Sequence, residues 1–148
     1  MFKLQPLSIL TDDSGKRLAS IEHDPARQLL AIRWFGNLTG EQVIYVARCT
    51  LQLTSTKPYT LLLNDKSQAT GDWSDALEWL EYEWLPQVLQ GGLHAIAYIF
   101  TPDMHNQLAS YQFIERLKPY LRIAAFEDAP AAMEWMEQAS ADPRINLV

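Results

Sequence analysis

The sequence predicts an α/β domain with a mixed, mostly parallel β-sheet, an antiparallel N-terminal hairpin at the edge, and four helices. Two observations predict this class. Residues 60–101 read as a buried strand, a polar loop, a long helix, a glycine stop and a second buried strand, which make one β-α-β unit. Before them, apolar runs at 7–10 and 18–23 flank a turn-rich segment with Gly15, a pattern typical of a hairpin.

The length fits a single domain. The chain has 148 residues, enough for one core, and we predict the domain over 1–140 and a C-terminal tail over 141–148. A third strand of the N-terminal meander is predicted at 29–35, where β-branched and aromatic residues end at a Gly-Asn pair. Thr39 begins the first helix, with Gln42 three residues later completing a capping box.

The central β-α-β unit contains the longest predicted helix. Its first strand, at 60–64, shows no alternation, as expected of a strand that is covered on both faces. Asp72 is expected to cap the helix, and Pro86 to kink it or end it early, because proline has no N–H to donate. The residues predicted to pack on the sheet are Trp73, Ala76, Leu77, Leu80, Trp84 and Val88.

Two more strand–helix pairs complete the predicted order. A strand at 94–100 leads to Thr101 and Pro102, which are predicted to be the cap and first residue of a third helix. The inward face of that helix is predicted to contain Leu108, Tyr111, Ile114 and Leu117. A strand at 122–127 and a helix capped by Asp128 follow, and right-handed crossovers would make the later strands parallel.

Charge is distributed unevenly along the chain. The net charge is −6, and no lysine or arginine occurs between Lys66 and Arg116. Such a surface repels phosphate backbones and anionic lipid headgroups, so we predict no nucleic-acid partner. No apolar run has the length of a membrane span, and the first residues do not resemble a signal peptide. We therefore expect no membrane insertion and a cytoplasmic location. Cys49 has no second cysteine for an intramolecular disulfide.

Polar residues follow the two central strands at their carboxyl ends, the usual place for a ligand crevice in a parallel sheet. The candidate residues for binding a ligand or partner there are Asn64, Asp65, Lys66, Ser67, Thr70, Trp73, Asp103 and His105. The alternative is that these residues form turns and cap helices for backbone reasons alone.

The pattern gives little support for catalysis or metal binding. Ser67, Asp103 and His105 fall at the same predicted sheet end, but the sequence has no nucleophile elbow, phosphate loop or dinucleotide fingerprint. His94 and His105 flank a strand, which places them too far apart to share an ion. We predict that the protein is not an enzyme and has no catalytic residue, metal or cofactor.

The long helix has more apolar residues than one buried face requires. The surplus consists of Trp79, Tyr82, Leu85 and Leu89. These residues form either an interface, such as a homodimer contact, or an internal face that neighbouring helices cover. The sequence leaves both alternatives open.

Several runs of the chain resemble a known family. They are LLLND, GDWSDALEWL, EWLPQVLQGGL, AIAYIFTPD, QLAS and FEDAPAAMEWM, which fall within 18–138. Together they resemble small bacterial proteins with the SpoIIAA-like (STAS) fold, the fold of anti-sigma-factor antagonists. The resemblance implies a sheet to which successive β-α turns add helices, and a role in protein–protein or small-ligand recognition.

The resemblance also implies possible modification sites. In the antagonists, a phosphorylatable serine lies in an Asp-Ser-Ser-Gly motif at the start of the helix after the central strand. The matching region here is 70–75, which contains Thr70 and Ser74. Ser67 lies just before it, and all three hydroxyls are near the positive end of the helix dipole. Trp73 occupies the place of the first motif serine, and no glycine follows.

The function expected from the sequence is that of a non-enzymatic STAS-like module that binds a regulatory protein partner. The alternative is a carrier or sensor of a small apolar or amphipathic ligand. An apolar pocket with a few polar groups would favour the second function, and an exposed aromatic patch would favour the first.

Overall fold

The computed structural model describes residues 1–141, which form one six-stranded sheet and four helices. The strands are β1 (Gln5–Thr11), β2 (Arg17–Asp24), β3 (Leu29–Asn37), β4 (Leu61–Thr70), β5 (Ala95–Ile99) and β6 (Arg122–Phe126). The helices are α1 (Gly40–Leu53), α2 (74–90), α3 (Met104–Leu117) and α4 (Ala129–Ser140). The predicted tail at 141–148 lies outside the described residues except for Ala141.

The strands lie side by side in sequence order. Strands β1 to β3 are antiparallel, and β3 to β6 are parallel. The predicted fold class, an α/β domain with a mixed sheet and an antiparallel hairpin at its edge, is therefore confirmed. In such an order, crossovers of one preferred hand place the connecting helices α1, α2 and α3 on the same face.

The sheet is covered on both faces. Leu62 of β4 belongs to the core cluster that contains Phe113 of α3. The next residue, Leu63, belongs to the cluster on the opposite face, which contains Met136 of α4. This two-sided burial explains the absence of alternation in the first half of β4.

Strand β4 is longer than the sequence predicts. The prediction ends this strand at Asn64, whereas the structure extends it to Thr70. The polar residues 65–70 look like a loop in isolation, but they pair with the end of β3 up to Asn37. Long-range pairing therefore overrides the local preference of these residues for a turn.

A β-bulge lies in the added part of β4. Trp34 of β3 faces two β4 residues, Lys66 and Ser67, because the register shifts within 33–35. The Asp65 carboxylate accepts a hydrogen bond of 2.9 Å from the Ser67 backbone N–H. This bond gives the Ser67 N–H a partner in the segment where the bulge interrupts the regular pairing of β3 and β4.

The helix starts are predicted in part. Thr39 caps α1 in the predicted capping box, and Asp128 caps α4, so both predictions are confirmed. The prediction that Thr101 caps α3 is wrong. Asp103 is the cap and accepts a hydrogen bond of 3.0 Å from the Asn106 N–H.

The buried face of α3 differs from the prediction. Its buried residues are Asn106, Ala109, Ser110, Phe113 and Leu117. Leu117 is inward as predicted, but Leu108 and Tyr111 are exposed, so the prediction is wrong for these two. The rotation of α3 is set by the ring of Phe113, which packs against Trp73, Trp84 and Tyr98.

Helix α2 is irregular and begins later than predicted. Asp72 accepts a hydrogen bond of 2.9 Å from the Ser74 N–H, so it shapes the turn before the helix. The prediction that Asp72 caps the helix is wrong, because within residues 1–141 no side chain caps it. Pro86 does not end the helix. A π turn at Leu80–Trp84 precedes it, and the helix continues to residue 90. The wider turn accommodates a residue that lacks an N–H.

Candidate functional site

Lys66 lies on β4 with its side chain buried between the sheet and the helices. Leu62 and Asn64 precede the bulge, and their side chains face α1, α2 and α3. Lys66 is the next alternate residue of β4, so its side chain lies on the same face of the sheet. Only 1% of the surface of Lys66 is exposed. Lysine is almost never buried to this extent unless another group pairs with it.

Three aromatic rings surround the Lys66 amine. Nζ lies 3.4 Å from the ring centroid of Trp73, 4.6 Å from that of Trp34 and 5.9 Å from that of Tyr98. Within residues 1–141, Nζ has no ion pair or hydrogen bond. Burial therefore lowers the pKa of Lys66 well below its usual value. The ring faces attract a cation, which offsets part of the desolvation cost.

Asn64 contributes a second unpartnered donor. Its Oδ1 atom accepts a hydrogen bond from Nε1 of Trp34. The indole N–H is only a donor, so the amide atom that faces Trp34 must be the oxygen. The Nδ2 atom of Asn64 then has no partner in the described part of the chain. Nε1 of Trp73 is also buried without a partner there.

A narrow cavity of about 40 Å³, which we call the inner cavity, adjoins these donors. Its walls are mainly apolar. They consist of Ile32, Trp34, Val43, Ala47, Thr50, Tyr59, Leu62, Asn64, Lys66, Trp73, Leu80, Trp84 and Phe113. The volume is sufficient for a water molecule or for the head group of a small ligand.

A larger pocket of about 510 Å³, the outer pocket, opens at the C-terminal ends of α1 and α2. Its lining is mixed and consists of Leu51, Thr54, Ser55, Thr56, Lys57, Pro58, Tyr59, Gln87, Val88 and Gly91. Tyr59 also lines the inner cavity and is buried, and burial raises the pKa of its hydroxyl to about 12. The Tyr59 side chain therefore stands between the outer pocket and the inner cavity.

The structure divides the predicted crevice residues into two groups. Those that line the inner cavity are Asn64, Lys66 and Trp73. Those that lie outside it are Asp65, Ser67, Thr70, Asp103 and His105. The predicted crevice beyond the strand ends is thus not a single site, because β4 continues through residues that the prediction placed in a loop.

Two of the predicted crevice residues that lie outside the inner cavity accept hydrogen bonds from backbone N–H groups. Oδ2 of Asp103 accepts hydrogen bonds from the N–H groups of Gly71, at 2.9 Å, and Asn106, at 3.0 Å. It thereby joins the end of β4 to the start of α3. Asp65 bonds to the backbone of the bulge, so the turn-and-cap interpretation describes both carboxylates.

Ser67, Asp103 and His105, which fall at the same predicted sheet end, do not form a hydrogen-bonded nucleophilic arrangement in the described part of the chain. The same part of the chain has no group of three potential metal-ligating side chains. It also has no helix that is long and apolar enough to cross a bilayer. Among the possible phosphorylation sites, Thr70 is exposed, and Ser67 and Ser74 are half-buried.

The surplus apolar residues of α2 differ in exposure. Tyr82 is exposed, whereas Leu85 is buried. Trp79 and Leu89 are half-buried against the core, and Arg48 lies over the Trp79 ring at 5.1 Å. These residues do not form one exposed surface. Leu85 fits the alternative in which this part of α2 is covered within the monomer.

A different apolar stripe is exposed on α3. Met104, Leu108 and Tyr111 are 70%, 54% and 52% exposed, and their spacing places them on one helix face. The ring of Phe100 packs on Tyr111, with centroids 4.9 Å apart.

Trp34, Tyr59 and Tyr98 are not among the site residues that the sequence predicts. One signal was present in the sequence. Leu62, Asn64 and Lys66 are alternate residues, so a strand that continued through residue 66 would place all three side chains on one face of the sheet. A longer β4 paired with β3 would have placed Lys66 beside Trp34.

The chain was also compared with known proteins. No protein-family model, curated protein or solved structure matches it significantly.

Proposed function

We propose that this protein is a non-enzymatic binding domain that holds a small amphipathic ligand between its sheet and helices α1 to α3. The decisive observation is the amine of Lys66, which is buried, has no partner within residues 1–141 and adjoins the inner cavity. Of the two functions expected from the sequence, this is the small-ligand alternative.

A packing role alone does not account for Lys66. Burying an amine without a hydrogen-bond partner costs on the order of 1–3 kcal/mol, and methionine would fill a similar volume without that cost. A ligand that accepts hydrogen bonds from Nζ of Lys66 and Nδ2 of Asn64 would offset the cost. Apolar walls with a few convergent polar groups are typical of ligand sites.

The sizes of the two spaces suggest how a ligand is held. The inner cavity of about 40 Å³ suits a polar head group, and the outer pocket of about 510 Å³ offers room for an apolar body. Leu51, Pro58 and Val88 supply apolar wall in the outer pocket. Tyr59 lines both spaces, so its side chain must move aside to let the ligand pass.

Tryptophan emission provides a direct test. Trp34, Trp73 and Trp84 line the inner cavity, so a ligand that enters it is expected to change the emission. Unbranched amphipaths of increasing length would be titrated into the wild type and into Lys66→Met. The control is Lys16→Met, at an exposed position in the β1–β2 turn. We expect Lys66→Met, but not Lys16→Met, to change the affinity for the amphipaths. If none of the amphipaths binds to the wild type, that result would contradict the proposal.

A protein partner is the second candidate function. The exposed stripe of Met104, Leu108 and Tyr111 favours it, because exposed apolar patches often mark interfaces. The resemblance to STAS proteins predicts a regulatory partner, and a second copy of the chain would also fit an apolar stripe.

Site-specific photo-crosslinking tests the second candidate. A photoreactive residue replaces Leu108, and the control carries it at Tyr120, which is exposed outside the stripe. A discrete cross-linked species from position 108 alone is the expected result. Equal labelling from both positions would contradict a specific partner surface.

A further inference from the structure

We propose that the head group of the ligand is a carboxylate, which pairs with Nζ of Lys66 and accepts a hydrogen bond from Nδ2 of Asn64. This inference rests on the proposed function, because it names the chemistry at the polar end of the same site. Both donors line the inner cavity and come from alternate residues of β4. Alternate residues of a strand lie about 7 Å apart, so both side chains can reach one head group.

The unpartnered polar atoms of Asn64, Lys66 and Trp73 around the inner cavity are donors. In addition to Nζ and Nδ2, Nε1 of Trp73 is buried with no partner within residues 1–141. The hydroxyl of Thr50, another lining residue, already donates to the Val46 carbonyl at 2.7 Å. A carboxylate is composed only of acceptors and can use the free donors. An alcohol or an amine would bring further donors.

Charge also favours an anionic head group. Among the described residues that line the cavity there is no aspartate, glutamate, histidine or arginine. The neighbouring carboxylate on β4, Asp65, is engaged with the Ser67 backbone. A ligand carboxylate would therefore supply the counterion for Lys66 that the described part of the chain does not.

Pairing with a carboxylate would couple binding to proton uptake. In the free protein, burial lowers the pKa of Lys66 well below its usual value. In the complex, the opposite charge favours the ammonium form and raises this pKa. Between these two pKa values the complex holds one more proton than the free protein. The dissociation constant therefore rises with pH, by up to about tenfold per unit.

The other groups around the cavity would not produce this pH dependence. Burial raises the pKa of Tyr59 to about 12, and it also raises the pKa of Tyr98. The Tyr98 hydroxyl bonds to Oγ of Ser110 at 2.6 Å. Of the described residues, none from α1, α2 or α3 places a charged side chain in the cavity lining. Lys66 is thus the lining group whose titration would couple to binding below the pKa of Tyr59.

The test uses three ligands that share the same alkyl chain and differ in the head group: octanoate, octanol and octylamine. Tryptophan emission and calorimetry report the affinities for the wild type, Lys66→Met and Lys16→Met. We expect the wild type to bind octanoate roughly ten- to a hundredfold more tightly than octanol, as a charge-assisted contact implies, and not to bind octylamine. Lys66→Met should lose this preference, and Lys16→Met should keep it.

The possible outcomes separate the head group from the proposed function. Equal affinities for octanoate and octanol, unchanged in Lys66→Met, would overturn the carboxylate and leave ligand binding intact. Failure of all three head groups to bind, at chain lengths from butyl to decyl, would overturn both. The wild type gives a check that needs no variant, because its affinity for octanoate should fall as pH rises while that for octanol stays constant. An octanoate affinity that is independent of pH would also overturn the inference.

Discussion

Replacing Lys66 by methionine should stabilise the protein. The lysine is 1% exposed and has no counterion within residues 1–141. In the unfolded chain its amine is solvated and holds a proton at neutral pH, so folding must either release that proton or bury the charge. Methionine has a similar length and no charge, and it can fill the space between Trp34 and Trp73.

The size of this gain depends on pH. A base whose pKa is lower in the folded state makes the unfolded state bind more protons, so wild-type stability rises between the lowered pKa and the usual value of 10.5. Each unit of pH in that window changes the free energy of unfolding by up to about 1.4 kcal/mol. Allowing for attraction to the Trp73 ring, we expect Lys66→Met to gain on the order of 2 kcal/mol at neutral pH. The gain should shrink as the pH rises.

Urea unfolding at several pH values from neutral to alkaline measures the effect. The stability curves of the wild type and Lys66→Met should converge as the pH rises, and the curve of Lys16→Met should run parallel to that of the wild type. A gain of this size corresponds to roughly 4–8 °C in Tm for a domain of this length. Parallel curves for the wild type and Lys66→Met would refute the reasoning, as would a less stable variant at neutral pH.

Three further predictions concern the residues that support the site. Asp103→Ala should lower the free energy of unfolding by about 1–2 kcal/mol, and Asp72→Ala should lower it by less. The reason is that Asp103 both caps α3 and bonds to the Gly71 N–H, whereas Asp72 bonds to the Ser74 N–H. Urea unfolding of the two variants compares these losses. Gly71→Ala should lower the Tm more than Gly15→Ala. Both glycines have positive φ, but a Cβ at Gly71 would overlap Asn37 and Leu38 before α1, whereas one at Gly15 meets no atom of residues 1–141 within 4 Å. Equal losses would contradict the close contact. Tyr59→Ala should speed octanoate association in stopped-flow fluorescence, and an unchanged rate would contradict passage from the outer pocket.

The fold class follows from local sequence features. Buried runs such as 94–100, and the capping box at Thr39, depend on hydrophobic periodicity and on side-chain chemistry within a few residues. The structure places β5 and the start of α1 where these features predict them. The parallel pairing of the later strands follows from the helices that connect them, because a crossover connection joins parallel neighbours.

The candidate site depends on contacts between distant parts of the chain. Residues 65–70 are mostly polar and read as a loop, and pairing with β3 continues the strand through them to Thr70. The bulge opposite Trp34 then positions Lys66 beneath the helices. The rotation of α3 likewise follows from the packing of Phe113 against Trp73, which no helical periodicity specifies. The sequence therefore located the polar segment of the site but not the burial of its lysine.

The number of protons taken up when octanoate binds decides whether a carboxylate pairs with Lys66. Calorimetric titrations at one mildly alkaline pH, in buffers with different heats of ionisation, give that number. The wild type should take up about one proton per octanoate, because the amine becomes an ammonium in the complex, and Lys66→Met should take up none. The same binding heat in every buffer for the wild type, together with an unchanged octanoate affinity in Lys66→Met, would contradict the pairing.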